Sequence, residues 1–192
     1  MLDQVLNYDT ELFLFLNNLG NTSWDGFWLF VTHKFSSIPL YALLLFLVYR
    51  NYGLKGALVI VVCVAVMITS TDQISSLFKY GFKRPRPCQV VDIKEYMRFV
   101  ADGCGRYGYF SAHAASSMAA AVFLGLSLQR WYKYLPFILL LWAILTGYSR
   151  IYLGVHYPLD VISGMAFGGL TGWLFYGLQQ WGQKRFNRDW RS

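Results

Sequence analysis

Four apolar blocks separated by short polar breaks run through the chain: Gly56 to Phe78, His113 to Leu128, Leu135 to Tyr148 and Leu159 to Leu178. Each is long enough, or nearly so, to cross a bilayer as an α-helix, which takes about 20 apolar residues. A fifth block ends at Arg50. Pro39 to Tyr49 is too short to span alone, and carrying the block back to Phe27 takes in His33 and Lys34. Residues Leu2 to Leu19 read differently, with apolar positions at helical spacing and Asp and Asn between them, which predicts an interfacial or re-entrant helix. Counted as a span it would be the sixth. The pattern therefore predicts an all-α, polytopic transmembrane helix bundle of five to six spans with an N-terminal interfacial helix. It reads as one domain over residues 1–192, with residues 1–26 as the interfacial or re-entrant segment and residues 79–113 as a long loop.

Composition agrees with this reading. The 192 residues are 56% hydrophobic and only 14% charged, which leaves too little polar chain for a second sizeable domain. The chain begins Met1-Leu2-Asp3, without a basic start followed by a cleavage site, so the first span is expected to serve as the targeting signal. A formal charge of +7 raises nucleic acid as a partner. The basic residues sit between apolar blocks, however, and no aromatic-basic module accompanies them; nucleic acid is excluded in favour of a membrane and an anionic substrate.

Counting spans gives a topology. With residues 50–55 as a loop on one side, Lys79 falls at the far end of the next span, Ser111 and His113 at the start of the returning one, and Ser149 to Asp160 between the last two. The opposite face carries Arg50, Lys55, Arg130, Lys133, Lys184, Arg185, Arg188 and Arg191, with Asp189 as its only acid. By the positive-inside rule that face is predicted cytoplasmic, which makes residues 79–113 an extracytoplasmic loop of an inner (plasma) membrane protein. The Lys79 to Arg106 stretch holds seven basic residues and three acids of its own, several of them wanted for chemistry. Gly164, Gly168 and Gly172 at four-residue spacing, with the small residues of Ala114 to Ala121, predict close helix packing.

Three short motifs share the predicted outer face: Lys79 with Arg86-Pro87 after six intervening residues; Phe110-Ser111-Ala112-His113; and Ser149-Arg150 followed by His156 and Asp160. Over about Asp72 to Asp160 the chain resembles the type 2 phosphatidic acid phosphatase family, relatives of the vanadium haloperoxidases and bacterial acid phosphatases. The first and third motifs match that family's pattern fully; the second has Phe110 for Pro and Ala112 for Gly. The resemblance implies that Lys79, Arg86, Ser111, Ala112 and Arg150 bind phosphate. It further implies that His156 is the nucleophile of a phosphohistidine intermediate, that Asp160 orients it, and that His113 is the general acid.

Those residue types suit the chemistry. Cations neutralise phosphate oxygens, a carboxylate fixes a histidine tautomer, and ionisable groups at membrane depth must be paired or used. No metal and no cofactor is called for, because Lys79, Arg86 and Arg150 would repel a cation at His156 and Asp160. The expected partner is a lipid phosphate or diphosphate in the bilayer. Undecaprenyl diphosphate is the first expectation, with phosphatidylglycerophosphate, phosphatidic acid and lipid A phosphates as alternatives. A non-catalytic anion-binding protein or transporter is a rival that would need the cations but not both histidines and Asp160. A vanadate-dependent peroxidase, a second rival, is disfavoured by so short a membrane-embedded chain. His33 reads as interfacial, and Lys83 and Arg84 as solvated loop charge in preference to an extension of the anion-binding surface. Asp72, with Ser76 on the face that carries Lys79, either orients Lys79 or pairs inside the bundle. Cys88 and Cys104 share the outer loop, where an oxidising compartment would let them bridge, while Cys63 lies within a span.

Overall fold

The computed structural model describes residues 1–33 and 35–185, without the side chains of residues 183–185. The expected positions Lys34, Arg188, Asp189 and Arg191, and the side chains of Lys184 and Arg185, lie outside the described residues. Among the described residues seven α-helices follow one another: α1 (Leu2–Asn18), α2 (Thr22–Thr32), α3 (Ile38–Phe82), the single-turn α4 (Val91–Lys94), α5 (Ala112–Leu128), α6 (Leu135–Tyr152) and α7 (Pro158–Arg185). Among the described residues there is no strand, only an isolated bridge between Pro85 and Tyr107.

Helix α3, 45 residues long, is broken at Gly53, whose φ of 63° lies in the region that favours glycine. The break is a reversal. In a straight helix Tyr41 and Ile68 would stand about 40 Å apart, yet both line one cavity. Asn51 meets Tyr132, and Tyr52 donates to the Ser127 carbonyl, so the Gly53 turn sits beside the α5–α6 turn. The two limbs of α3, residues 38–52 and 54–82, thus run antiparallel. With α5, α6 and α7 they form an all-helical bundle of five long rods. By length and apolarity α3, α6 and α7 qualify as membrane-crossing, while α5 is shorter at 17 residues.

Of the two starts open to the block that ends at Arg50, the later one forms and the extension back to Phe27 does not. Helix α2 stops at Thr32, His33 takes an extended conformation, and α3 starts only with Pro39 in its first turn. Polar His33 and the conformational demand of Pro39 end one helix and begin another. The boundary placed at residue 26 accordingly falls inside α2, and the long loop starts later than residue 79, since α3 continues to Phe82.

Helix α1 fits an interfacial position. Its buried residues are Asp9, Phe13 and Asn17, whereas Leu2, Val5, Tyr8, Leu12, Phe15 and Leu19 are exposed at three- and four-residue spacing. The fully buried Asn17 side chain fastens it, donating to the carbonyls of Arg98, Ile151 and Tyr152 and accepting from the Arg98 N–H at 2.7 Å.

At the centre lies α5, built largely of alanine. Its Ala114, Ala115 and Ala119 are fully buried, and a Cβ added at Gly164, Gly168 or Gly172 of α7 would run into the carbonyls of Ser111, Ala115 and Ala119. The glycine spacing therefore does what it predicts, letting two backbones approach closely. Arg50 and Lys55 at the Gly53 turn and Arg130 and Lys133 at the α5–α6 turn share the bundle end opposite the three motifs.

Candidate active site

All three motifs meet at the other end. The α6–α7 connection is short and tightly held: the N–H groups of Val155 and His156 both donate to the Arg150 carbonyl at 3.1 and 3.2 Å, and Gly154 turns the chain with φ of 79°. Pro158 then starts α7, placing Asp160 in its first turn. One carboxylate oxygen of Asp160 faces Nδ1 of His156 at 3.3 Å and accepts from the Tyr157 N–H at 3.1 Å. That leaves Nε2 of the imidazole directed elsewhere. Both side chains are buried.

The second motif is tied to the third through backbone. The Ser111 N–H donates to the Asp160 carbonyl at 2.9 Å, and the Ser111 hydroxyl caps α5 by accepting from the Ala114 N–H at 3.4 Å. Phe110, in place of the family's proline, is an anchor. Its ring packs against Phe78 and Phe167, and its carbonyl accepts from the Ser75 hydroxyl. His113, one residue into α5 beyond Ala112, is exposed and lines a cavity between the helices.

Arg86 arrives from the long loop. That loop is closed on itself by hydrogen bonds from Arg86 N–H to Arg106 O and from Gly108 N–H to Arg84 O, and by a Cys88–Cys104 disulfide spanning 6.4 Å between Cα atoms. The bridge that an oxidising compartment would allow is present. Arg86 Nε donates to the Tyr107 carbonyl, which leaves the rest of its guanidinium for other partners. His113 lies within electrostatic reach of Lys79, Arg86, Arg150 and His156, and both Lys79 and His156 within reach of Arg86 and Arg150. Arg150 donates from one terminal nitrogen to the Thr32 hydroxyl, while its buried Nε has no partner. Burial without a partner is costly for a guanidinium, and this one has a donor to spare for an anion.

Sequence reasoning missed four residues here. Arg84, expected as solvated charge, is instead only 16% exposed and bridges two buried carboxylates, donating to Asp160 at 2.9 Å and to Asp9 at 2.6 Å. It also lies over the Tyr157 ring at 4.1 Å. Asp9 completes the link by accepting from the Leu159 N–H. Gly108 is packed against the dyad: a Cβ there would come within 2.8 Å of an Asp160 carboxylate oxygen. Thr32 is the fourth. An acid inside an otherwise amphipathic α1 was the available signal for Asp9; nothing local marked Arg84, whose neighbour Lys83 is indeed exposed. His33, expected as interfacial, lines the cavity with His113.

A family model described as the PAP2 superfamily matches residues 56–184. A lipid A 4′-phosphatase of Bacteroides thetaiotaomicron is 37% identical over 92% of this chain and 79% of its own. An undecaprenyl-diphosphatase of Sulfolobus acidocaldarius is 30% identical over 94% of this chain and 82% of its own. Among solved structures, a transmembrane PAP2-type phosphatidylglycerolphosphate phosphatase from Bacillus subtilis superposes with a TM-score of 0.73 over 92% of this chain and 87% of its own, at 18% identity, and so shares the fold. The chain belongs to the PAP2 superfamily and is a membrane lipid phosphatase.

Proposed function

We propose that the protein removes a phosphate monoester from lipid A or a similar acylated saccharide on the extracytoplasmic face of the inner membrane, by way of a phosphohistidine. The dyad geometry carries the reading: Asp160 occupies Nδ1 of His156, so Nε2 is the nitrogen left for phosphorus. Lys79, Arg86 and Arg150 hold the phosphate oxygens, with Ser111 and the Ala112 backbone at the N-terminus of α5 beside them. Nε2 attacks phosphorus as the P–O bond to the lipid breaks, and His113 gives its proton to the departing oxygen. Water then attacks the phosphohistidine, His113 takes the proton released, and inorganic phosphate leaves. Relatives named for both lipid A and undecaprenyl diphosphate match the chain; the preference for lipid A follows the higher identity, 37% against 30%. The test is phosphate release by purified protein from lipid A in mixed micelles, with acid-labile label trapped on the protein. No release from lipid A, alongside turnover of undecaprenyl diphosphate, would return the assignment to the first expectation.

The pH profile is a second check. His156 sits in the connection outside the spanning helices, and burial pushes its imidazole below its usual value, to about 4, against the opposing pull of Asp160. A protonated ring has no lone pair at Nε2. The expected kcat/KM therefore does not depend on His156 protonation above about pH 5 and falls as pH drops through about 4. An acid limb centred near 6.5 would contradict the buried, neutral resting nucleophile.

The side of the membrane is read from the basic turns. In a Cys63→Ala background, a cysteine replacing exposed Lys94 is expected to react with a membrane-impermeant thiol reagent in intact cells, and one replacing exposed Arg130 is not. Reversed labelling overturns the topology and with it the extracytoplasmic substrate.

A further inference from the structure

The cavity on which His113 opens has a volume of about 620 Å³ and lies between α2, both limbs of α3, α5 and α6. Much of its wall is apolar, including Ile68, Leu124 and Trp142, as suits a lipid chain. One strip is not. Thr69, Asp72 and Gln73 face into it from the second limb of α3, at a depth where Asp72 is about 15 Å of helix from Phe82. Asp72 and Gln73 are exposed, and among the described residues neither side chain makes a hydrogen bond. Asp72 acts on Lys79 only at electrostatic range. An acid and an amide left open at membrane depth are costly to keep unless something polar meets them there.

The reaction says what that is. Phosphorus moves to His156, and the bond that breaks releases its oxygen toward His113, which stands on the cavity wall. The leaving group must therefore occupy the cavity. A phosphate monoester releases an uncharged alcohol, whereas a diphosphate releases a lipid phosphate that is still anionic. Among the described residues lining the cavity there is no Lys or Arg to receive an anion, and there is Asp72 to repel it.

We propose, resting on the phosphatase reading above, that this cavity is the leaving-group site and that Asp72 and Gln73 select an uncharged, hydroxyl-bearing alcohol, so the enzyme prefers monoesters to diphosphates. Asp72 and Gln73 accept from and donate to the hydroxyl or amide groups of the alcohol, while its chains lie along the apolar wall. Lys79 remains with the transferred phosphoryl group. Any effect that a change at Asp72 exerts through Lys79 falls equally on mono- and diphosphate, and it cancels in their ratio.

The experiment compares kcat/KM for three lipids in the same micelles: lipid A, undecaprenyl phosphate and undecaprenyl diphosphate. The two prenyl substrates share a tail, and their leaving groups differ in charge and in leaving ability, an alcohol against a phosphate; the difference in leaving ability is common to wild type and variants and cancels when their ratios are compared. Wild type is expected to favour the monophosphate of that pair. Asp72→Asn, which removes the charge at constant shape, should shift the ratio toward the diphosphate by roughly tenfold or more. Gln73→Glu, a second route that does not depend on the folding of the first variant, should shift it the other way. A wild type that prefers the diphosphate, or ratios that stay within about twofold in both variants, overturns the cavity assignment alone. A wild type inactive on all three lipids overturns the phosphatase reading and this proposal with it.

Discussion

His156→Ala is expected to abolish phosphate release from lipid substrates, by about 10⁵-fold, while the protein stays folded and membrane-inserted. The imidazole is buried in the α6–α7 connection, but the connection holds its shape by other means: the backbone bonds to the Arg150 carbonyl, the Gly154 turn and the start of α7 at Pro158 do not involve the ring. In the mechanism proposed above, removing the ring takes away the atom that forms the covalent intermediate. Asp160→Asn is expected to cost less, roughly 10²- to 10⁴-fold, because the nucleophile survives but its Nδ1 loses the carboxylate that fixes the tautomer. The variant also turns an amide toward Arg84, so its defect should include some loss of stability. Full phosphate release by a folded His156→Ala protein would remove the phosphohistidine from the mechanism.

The parts of this site that could be read in the sequence were those set by spacing along one segment. Lys79 and Arg86, Ser111 and His113, and Arg150 with His156 and Asp160 each lie within a stretch of at most eleven residues, and the turn or helix start between them fixes their relation. Span counting then brought the three stretches to one end, since apolar length alone decides how often the chain crosses. Two kinds of fact were beyond that reach. The first is long-range pairing: Arg84 meets Asp9 across 75 residues and Asn17 meets Tyr152 across 135, and no local pattern specifies a partner so distant. The second is close approach in three dimensions. Gly108 looks like any loop glycine until the Asp160 carboxylate is found against it. The break after Thr32 falls between these cases: polar His33 and Pro39 were both visible, but the block that starts at Pro39 is too short to span alone, so apolar length left the start open.

Arg84→Met is the substitution expected to damage the fold most. Among the described residues Arg84 is the sole ionic link between α1 and the dyad: one terminal nitrogen holds Asp9 at 2.6 Å and the other holds Asp160 at 2.9 Å. Both carboxylates are buried, with side-chain exposures of 6% and 0%. Methionine fills much of the same volume against Tyr157 but leaves two acids facing each other without a cation. Breaking a buried pair in this way typically costs about 3–5 kcal/mol, more than the pair's formation contributes, because the stranded charge remains desolvated. The loss should appear as a lower melting temperature in detergent. It should also appear in catalysis, since Asp160 without Arg84 keeps only the Tyr157 N–H to hold the oxygen that faces His156. Arg84→Lys should recover part of both, a lysine being able to reach one acid but not to fork between two. Adding Asp9→Asn to Arg84→Met should restore stability more than activity: it removes one stranded charge and leaves Asp160 as unsupported as before. Wild-type melting in Arg84→Met would show that Arg84 carries no structural weight. A double variant that regained activity in step with stability would show instead that it acts only by holding the fold together.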